Sequence, residues 1–133
     1  MVIRMSDLRD QGLNVFREML PGVLPEAVPN EKISFGGGFA SELMEIGIED
    51  IFGRLWTRDG LSRRDRSLVT LGILIALGAE LEMESHFRIA AQNGLTEAEL
   101  SEVIYHASGY AGFPAANTAK HAALKALSKD HDL

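Results

Sequence analysis

The chain has no cysteine among its 133 residues. Disulfide bonds, thiolate metal sites and thiol-based catalysis are therefore excluded, because each of them requires that side chain. Proline is also scarce, with 4 residues, and a composition of 46% hydrophobic and 24% charged residues is typical of a globular domain rather than of extended disorder. We expect one domain over residues 1–133.

Basic residues are in the minority, with 13 Lys and Arg against 19 Asp and Glu, for a net charge of −6. This balance argues against nucleic acid and anionic membranes as partners, since phosphate binding needs clustered cations. A small anionic substrate remains compatible if a few arginines converge. The N-terminus reaches charged residues too early for a secretory signal, and the uncharged apolar run at residues 67–79 is too short to cross a bilayer. The sequence predicts a cytoplasmic protein.

Apolar residues in the first third of the chain recur at helical spacing, interrupted by proline and glycine. A first helix is expected from Ser6, as N-cap, to Leu20, before Pro21 and Gly22. Residues 21–34 hold three of the four prolines and predict an extended N-terminal arm. The glycine run at residues 35–39 lacks the spacing of a phosphate loop, so we interpret it as a hinge or a helix start.

Residues 39–56 show apolar spacing typical of one helix, or of a broken pair bent near Gly47. Ser62 is then predicted to cap a further helix, with Asp65 three residues later. Apolar residues surround that helix from Leu68 to Leu77, which predicts cover on all sides and, in a chain this short, a second subunit that supplies part of it.

The second half of the chain reads as three more helices. One carries Glu82 and His86 and ends at Asn93 before Gly94, and Thr96 with Glu99 forms a capping box that opens the next. Gly109 and Gly112 are expected to break that helix, and Pro114 to start a last one over residues 115–127. No stretch alternates as a strand does. The predicted fold is all-α, a bundle of about six helices in an oligomer.

Glu82 and His86 are the best candidates for chemistry, because a carboxylate and an imidazole four residues apart share one helix face. The alternative is an ordinary solvated surface pair. His106 and His121 could be imagined as metal ligands beside them, but their spacing does not support a bundle metal site, so no metal is expected.

Several linked motifs carry a resemblance between residues 52 and 122: WTRDGL, RRDRSLVTL, the Glu82 and His86 pair, NGLTEAEL and YAGFPAAN. In this order they resemble the carboxymuconolactone decarboxylase family, closest to its single-domain decarboxylase branch. The family's peroxidase-like branch uses CxxCxxxH and a preceding Glu, which would fall on Ala79, Glu82 and Ser67 here. With no thiol present, that chemistry is excluded.

The resemblance implies a cofactor-free decarboxylase of a small anionic lactone, similar to 4-carboxymuconolactone, in aromatic catabolism. Such a lactone can lose CO₂ because its electrons flow into the conjugated ring carbonyl. His86 would then be the proton donor, and Glu82 would orient it and raise the population of imidazolium near neutral pH. Arg58 and Arg66 match family positions and would bind the substrate carboxylates.

Tyr110 and Asn117 flank Gly112, where a helix start could present donors to an oxyanion. Their alternative role is turn formation and a satisfied buried hydroxyl. Arg66 could equally form an ion pair with Glu80 or Glu82 inside the bundle.

The resemblance also implies a homohexamer, arranged as a trimer of dimers. Two other functions remain open from the sequence. One is a non-thiol lyase or isomerase that uses the Glu82 and His86 pair on another metabolite, and the other is a non-catalytic oligomer that binds a small molecule between its subunits.

Overall fold

The computed structural model describes residues 5–24 and 38–128, and every regular element in this part of the chain is helical. The elements are α1 (Met5–Met19), α2 (Leu43–Gly47), a π-helix (Ile48–Gly53), α3 (Arg63–Leu77), α4 (Glu80–Gln92), α5 (Glu97–Tyr110) and α6 (Phe113–Leu127). The prediction of an all-α fold with about six helices is confirmed. Most of the predicted arm at residues 21–34, and residues 35–37 of the glycine run, lie outside the described residues. None of the described helices is long and apolar enough to cross a membrane.

The contacts divide the chain into two compact units, one up to Gly60 and one from Leu61 onwards. The first unit contains α1, α2 and the π-helix, and the second contains α3 to α6. Each is described below by itself.

In the first unit, α1 and the π-helix meet backbone to backbone at two glycines. A Cβ added to Gly12 would lie 2.1 Å from the carbonyl oxygen of Ile48, and one added to Gly53 would lie 2.3 Å from that of Leu8. Real Cβ atoms do not approach backbone this closely, so neither position can carry a side chain without moving a helix. Of the two forms predicted for residues 39–56, the structure has a helical stretch that changes from α to π after Gly47, where the backbone keeps helical dihedral angles.

Aromatic rings and one ion pair fill the rest of this unit. Phe16 packs edge-on against Phe52, with ring centroids 5.0 Å apart, and Phe52 stacks on the buried Trp56. Arg9 contacts Glu45 through two hydrogen bonds, from Nε to Oε2 at 2.9 Å and from Nη2 to Oε1 at 3.2 Å. The two side chains are only 13% and 11% exposed, so this pair joins α1 to α2 in a largely desolvated place.

The second unit has an apolar core between four helices. Its large buried side chains include Leu71 and Ile75 of α3 and Met83 and Phe87 of α4. α6 contributes a stripe of buried alanines, at positions 116, 119, 122, 123 and 126. Alanine adds little bulk, so α6 can lie close to α4 and still exclude water from the large side chains that α3 and α4 supply.

The predicted caps of this unit are confirmed. The Ser62 hydroxyl accepts a hydrogen bond from the Asp65 amide at 3.0 Å, and Thr96 and Glu99 form a reciprocal capping box. Gly94 has the positive φ expected after a helix end, and α6 begins at Phe113 with Pro114 in its first turn. One expected break is wrong, because α5 continues through Gly109 to Tyr110.

α3 is buried on one face only. Ser67, Leu71 and Ile75 point into the core, whereas five residues of the opposite face are exposed: Val69, Gly72, Ile73, Ala76 and Leu77. The single chain therefore covers α3 on one side only, and the predicted cover of the other side by a second subunit stays a prediction.

Candidate active site

The site predicted around His86 lies on a tight hairpin of α3 and α4. Gly78 ends α3 in the left-handed conformation, with φ at 69°, and its amide bonds back to the carbonyls of Ile75 and Leu74. Only one further residue, Ala79, separates it from the start of α4 at Glu80. Because glycine adopts this conformation without steric cost, the chain reverses within two residues and α4 runs back along α3.

A buried hydrogen bond fixes the far end of the same hairpin. The side-chain amide of Asn93 donates from Nδ2 to the Oγ of Ser67 at 3.0 Å, and also approaches the carbonyl oxygen of Arg63 at 3.4 Å. Ser67 is only 1% exposed. His86 precedes Asn93 by seven residues, two helical turns, so both lie on the same side of α4. The Ser67 contact thereby helps to set the rotation of the helix that carries His86.

His86 is partly buried in the middle of α4, and Glu82 is exposed one turn before it. The two groups interact electrostatically, with the carboxylate favouring the charged imidazole. Glu84 and Arg88, on another side of α4, form an i,i+4 ion pair at 3.1 Å.

Burial lowers the pKa of His86 to about 4, and the nearby Glu82 raises it but only in part. Removing the imidazolium from water therefore outweighs the attraction of one exposed carboxylate. The direction expected for Glu82 is correct, although burial has the larger effect on the pKa in the protein without substrate. The imidazole is neutral at pH 7.

The two predicted arginines lie in different units. Arg66 is partly buried in the second turn of α3. Arg58 is exposed in the turn that follows the π-helix, where its backbone amide bonds to the carbonyl oxygen of Leu55 at 3.1 Å. The role of each in substrate binding stays a prediction.

Tyr110 and Asn117 are both exposed, at the end of α5 and in the second turn of α6. The Tyr110 ring is 86% exposed and lies 5.2 Å, between ring centroids, from the imidazole of His106. The alternative role as a satisfied buried hydroxyl is therefore wrong for Tyr110. Gly112, between the two residues, has φ at 100° and lets the chain turn into α6.

A groove of about 810 Å³ lies between α3 and α5 in the second unit. Leu68, Gly72 and Ala76 line it from α3, and Val103 and Ala107 are among the residues that line it from α5. Tyr110 and His106 lie at one end of the groove, but His86, Glu82, Arg66 and Asn117 do not line it. The structure thus brings Glu82 to His86, and it places Tyr110 in a different surface feature.

Metal ligands do not cluster in the described part of the chain, where no group of three or more His, Asp or Glu is arranged to hold an ion. His106 pairs with Tyr110 and His121 is exposed on α6.

Two features of the site escaped the sequence interpretation. The Ser67 and Asn93 bond was missed because Asn93 was read only as a helix end, although a serine among apolar residues of α3 was a signal for a buried partner. The groove was missed because it depends on the distance between α3 and α5, which cannot be predicted from a local sequence pattern.

Known proteins are similar to this chain over most of its length. Residues 47–125 match the family model described as the carboxymuconolactone decarboxylase family. The 4-carboxymuconolactone decarboxylase of Acinetobacter baylyi is 42% identical over 113 residues, which cover 85% of this chain and 81% of that protein. The nitrosuccinic acid decarboxylase of Metarhizium robertsii is 38% identical over 107 residues, 80% of this chain and 72% of that protein.

Proposed function

The chain belongs to the carboxymuconolactone decarboxylase family, and from this premise we propose that it is a carboxy-lyase that releases CO₂ from a small anionic lactone similar to 4-carboxymuconolactone. The observation that carries this proposal is the 42% identity over 85% of the chain to a decarboxylase with that substrate in its name. The chain also shares 38% identity with a decarboxylase of nitrosuccinic acid, so a decarboxylase of a small acid is the broader form of the proposal.

The two substrates named by these relatives have a chemical feature in common. A conjugated lactone carbonyl and a nitro group are both electron sinks that can receive the electron pair of a breaking bond to a carboxylate. A protein that acts on such molecules needs no cofactor to hold those electrons. It needs groups that bind the carboxylates and a donor that protonates the carbon afterwards.

We assign the proton to His86. The bond to the carboxylate carbon breaks, CO₂ leaves, and the electron pair moves into the ring carbonyl to give an enolate. The imidazolium then protonates the distant carbon, becomes neutral, and takes a new proton from solvent. A positioned general acid of this kind accelerates a reaction by ~10²–10⁴-fold.

Because the pKa of His86 is low in the free protein, the bound substrate must favour protonation of the imidazole. With a pKa of about 4, roughly one imidazole in a thousand is charged at pH 7 in the free protein. A substrate carboxylate about 4 Å away, at an effective dielectric constant of 20, would favour the imidazolium by about 4 kcal/mol, or about three pKa units. Binding an anion would therefore bring the pKa back to near 7, so that the acid forms where the substrate is.

The remaining roles follow from the charges of the substrate. Arg58 and Arg66 are proposed to bind its carboxylates, since guanidinium groups contact carboxylates through two hydrogen bonds. Tyr110 and Asn117 are proposed to steady the enolate. The family resemblance adds a cytoplasmic homohexamer engaged in aromatic catabolism, without a metal or a nucleic acid partner.

Replacing His86 tests the chemistry. In His86→Ala, kcat for CO₂ release from 4-carboxymuconolactone should fall by at least about 100-fold with the oligomer intact. The matched control is His121→Ala, an exposed histidine on α6 whose loss should leave turnover unchanged. Equal turnover in both variants would contradict the role of His86. Tight ligand retention without CO₂ release from any lactone would instead indicate a binding protein.

The pH profile tests whether substrate binding leads to protonation of His86. Because kcat/KM reports the free enzyme, it should fall about tenfold per pH unit above pH 4 to 5, whereas kcat should stay level up to about pH 7. Calorimetry in two buffers should then show about half a proton taken up per dianionic inhibitor bound at pH 7, and close to one proton at pH 6. A kcat/KM that is level from pH 5 to 8, with no proton uptake, would remove the mechanism.

A further inference from the structure

The junction between α4 and α5 contains the only Asn-Gly dipeptide of the chain, at Asn93 and Gly94. The other asparagines, at positions 14, 30 and 117, are followed by Val, Glu and Thr. An asparagine before glycine is especially prone to lose its side-chain amide, because a following residue without a Cβ lets its backbone nitrogen approach the asparagine Cγ. The sequence therefore has one position where this reaction is strongly favoured.

The reaction needs only water and the atoms of these two residues. The backbone nitrogen of Gly94 loses its proton and attacks Cγ of Asn93, the bond from Cγ to Nδ2 breaks, and Nδ2 leaves as ammonia. Water then opens the resulting five-membered succinimide at either carbonyl, which gives aspartate or isoaspartate. The net change replaces an amide NH₂ by OH, and the new carboxyl group is charged at neutral pH.

In the folded chain the reacting groups are held apart. Nδ2 of Asn93 donates to the Oγ of Ser67 at 3.0 Å and approaches the carbonyl oxygen of Arg63 at 3.4 Å, so the side chain points towards α3. The N–H of Gly94 donates to the carbonyl of Ala91 at 3.1 Å. At the Asn93 ψ of 5°, the Gly94 nitrogen eclipses the backbone nitrogen of Asn93, whereas closure of the ring requires it to eclipse Cβ.

The junction can open without unfolding the core of the second unit. Gly94 is exposed, with φ at 102°, and Asn93 is only partly buried. Opening requires the loss of the hydrogen bonds to Ser67 and Ala91 and a rotation about one backbone bond, while α4 and α5 stay helical. Ser67 is 1% exposed, so its hydroxyl loses a partner in a buried place each time the junction opens. That cost keeps the junction closed most of the time.

We propose that Asn93 is the site at which this protein deamidates, and that its hydrogen bond to Ser67 sets the rate by determining how often the junction opens. The product lacks the Nδ2 donor. Its carboxylate would lie beside the carbonyl oxygen of Arg63 and at the C-terminal end of α4, where a negative charge opposes the helix dipole. Deamidation should therefore weaken the contact between α3 and α4 permanently. The reaction is independent of the proposed decarboxylase activity.

The first test is mass spectrometry of the full chain after incubation at mildly alkaline pH. Trypsin releases Asn93 in a peptide of residues 89–120, and fragmentation distinguishes it from Asn117 in the same peptide. The mass increase from NH₂ to OH should occur at Asn93, at least about tenfold more slowly in the folded chain than in the same chain unfolded in urea. The control Asn93→Gln should show no increase at this position over the same period, because its ring would need a sixth member.

The second test separates local opening from global unfolding. Ser67→Ala removes the acceptor of Nδ2, and both deamidation at Asn93 and hydrogen exchange of the Gly94 amide should become about fivefold faster. The matched control is Ile75→Val, which removes one buried methyl group from the same helix at a similar cost in global stability and leaves the junction intact. It should deamidate at the rate of the wild type.

Three results would overturn the proposal. They are a modification of the folded chain at an asparagine other than Asn93, a folded chain that reacts as fast as the unfolded one, and equal rates in Ser67→Ala and Ile75→Val. If Ser67→Ala loses its helical signal in far-UV circular dichroism, Ser67→Cys replaces it, because a thiol is a weaker acceptor than a hydroxyl. The same expectations apply to that variant.

Discussion

The two units of the chain are held together in different ways. In the first, Gly12 and Gly53 let α1 and the π-helix meet through their backbones, and the Arg9 and Glu45 pair is almost closed to water. In the second, side chains from four helices fill a common core, and the Arg64 and Glu99 pair, which joins α3 to α5, is partly exposed. The first unit therefore depends on a few contacts that allow no substitution, and the second on many that each allow some.

The comparison also shows what a helical glycine means. Gly12 is required by a carbonyl oxygen of its own chain, whereas Gly72 meets nothing. Gly12 is therefore required for packing within the chain, whereas no contact within the chain requires a glycine at position 72.

The largest difference is expected between the ion pairs of the two units, in the free energy of unfolding that is lost when each is broken. Glu45→Ala leaves the Arg9 guanidinium without its carboxylate at a site where that side chain is 13% exposed, and we expect the free energy of unfolding to fall by about 4 kcal/mol. The matched variant Arg64→Ala breaks the pair with Glu99, whose side chains are 41% and 40% exposed, and should cost about 0.5 kcal/mol. Urea denaturation, followed by far-UV circular dichroism, measures both. Equal losses would mean that burial does not separate the two pairs.

Glycine substitution gives the next largest difference. Gly12→Ala places a methyl group against the carbonyl of Ile48 and should reduce the free energy of unfolding by about 3 kcal/mol. Gly72→Ala should leave it unchanged or raise it by up to about 1 kcal/mol, because alanine is the better helix former and its methyl group meets nothing within 4 Å. Trp56 is the single tryptophan and is buried in the first unit, so its fluorescence reports that unit selectively. A Gly12→Ala variant with an unchanged fluorescence midpoint contradicts the backbone contact.

The pH dependence of stability should carry a contribution from His86 in the second unit. Its pKa in the folded protein is about 4, below the ordinary value of 6.5, so the unfolded chain binds more protons between these values. Stability is then lost as the pH falls from 6.5 towards 4, by about 2 kcal/mol between pH 7 and pH 5. His86→Gln should remove that part of the slope. If the wild type and His86→Gln lose the same stability over this range, the imidazole is not buried as described.

The smallest effect is expected at the hydrogen bond that joins α3 to α4. Asn93→Ala removes the donor to Ser67 and should cost about 1 kcal/mol, because the hydroxyl of Ser67 is left buried. The double variant Ser67→Ala with Asn93→Ala should cost less than the sum of the two single variants. Additive losses would indicate that the two side chains do not interact.

Local chemistry made much of this fold predictable. The caps at Ser62 and Thr96, the end at Gly94 and the start at Pro114 each follow from neighbouring residues, and the structure confirms them. The change of helix type falls at Gly47, where the sequence predicted a possible bend. The π-helix after it was not predicted, since its wider turn has no sequence signal of its own in this chain and accompanies the close contact with α1.

The site was less predictable than the fold. The spacing of Glu82 and His86 correctly gave a shared helix face, and hence the direction in which the carboxylate acts on the pKa. The net pKa depended on how deeply packing buries the ring, which is a property of the whole bundle. For the same reason, the sequence showed that α3 is apolar on all sides, but it did not show which face a single chain leaves exposed.

The carboxylate of Glu99 serves two partners. One oxygen accepts the Thr96 amide at 3.0 Å to cap α5, and the other accepts the guanidinium of Arg64 from α3. The strength of the cap is consequently tied to the position of a side chain from another helix. Amide hydrogen exchange at the first turn of α5 should thus report on α3, becoming faster when high ionic strength weakens the ion pair between Arg64 and Glu99.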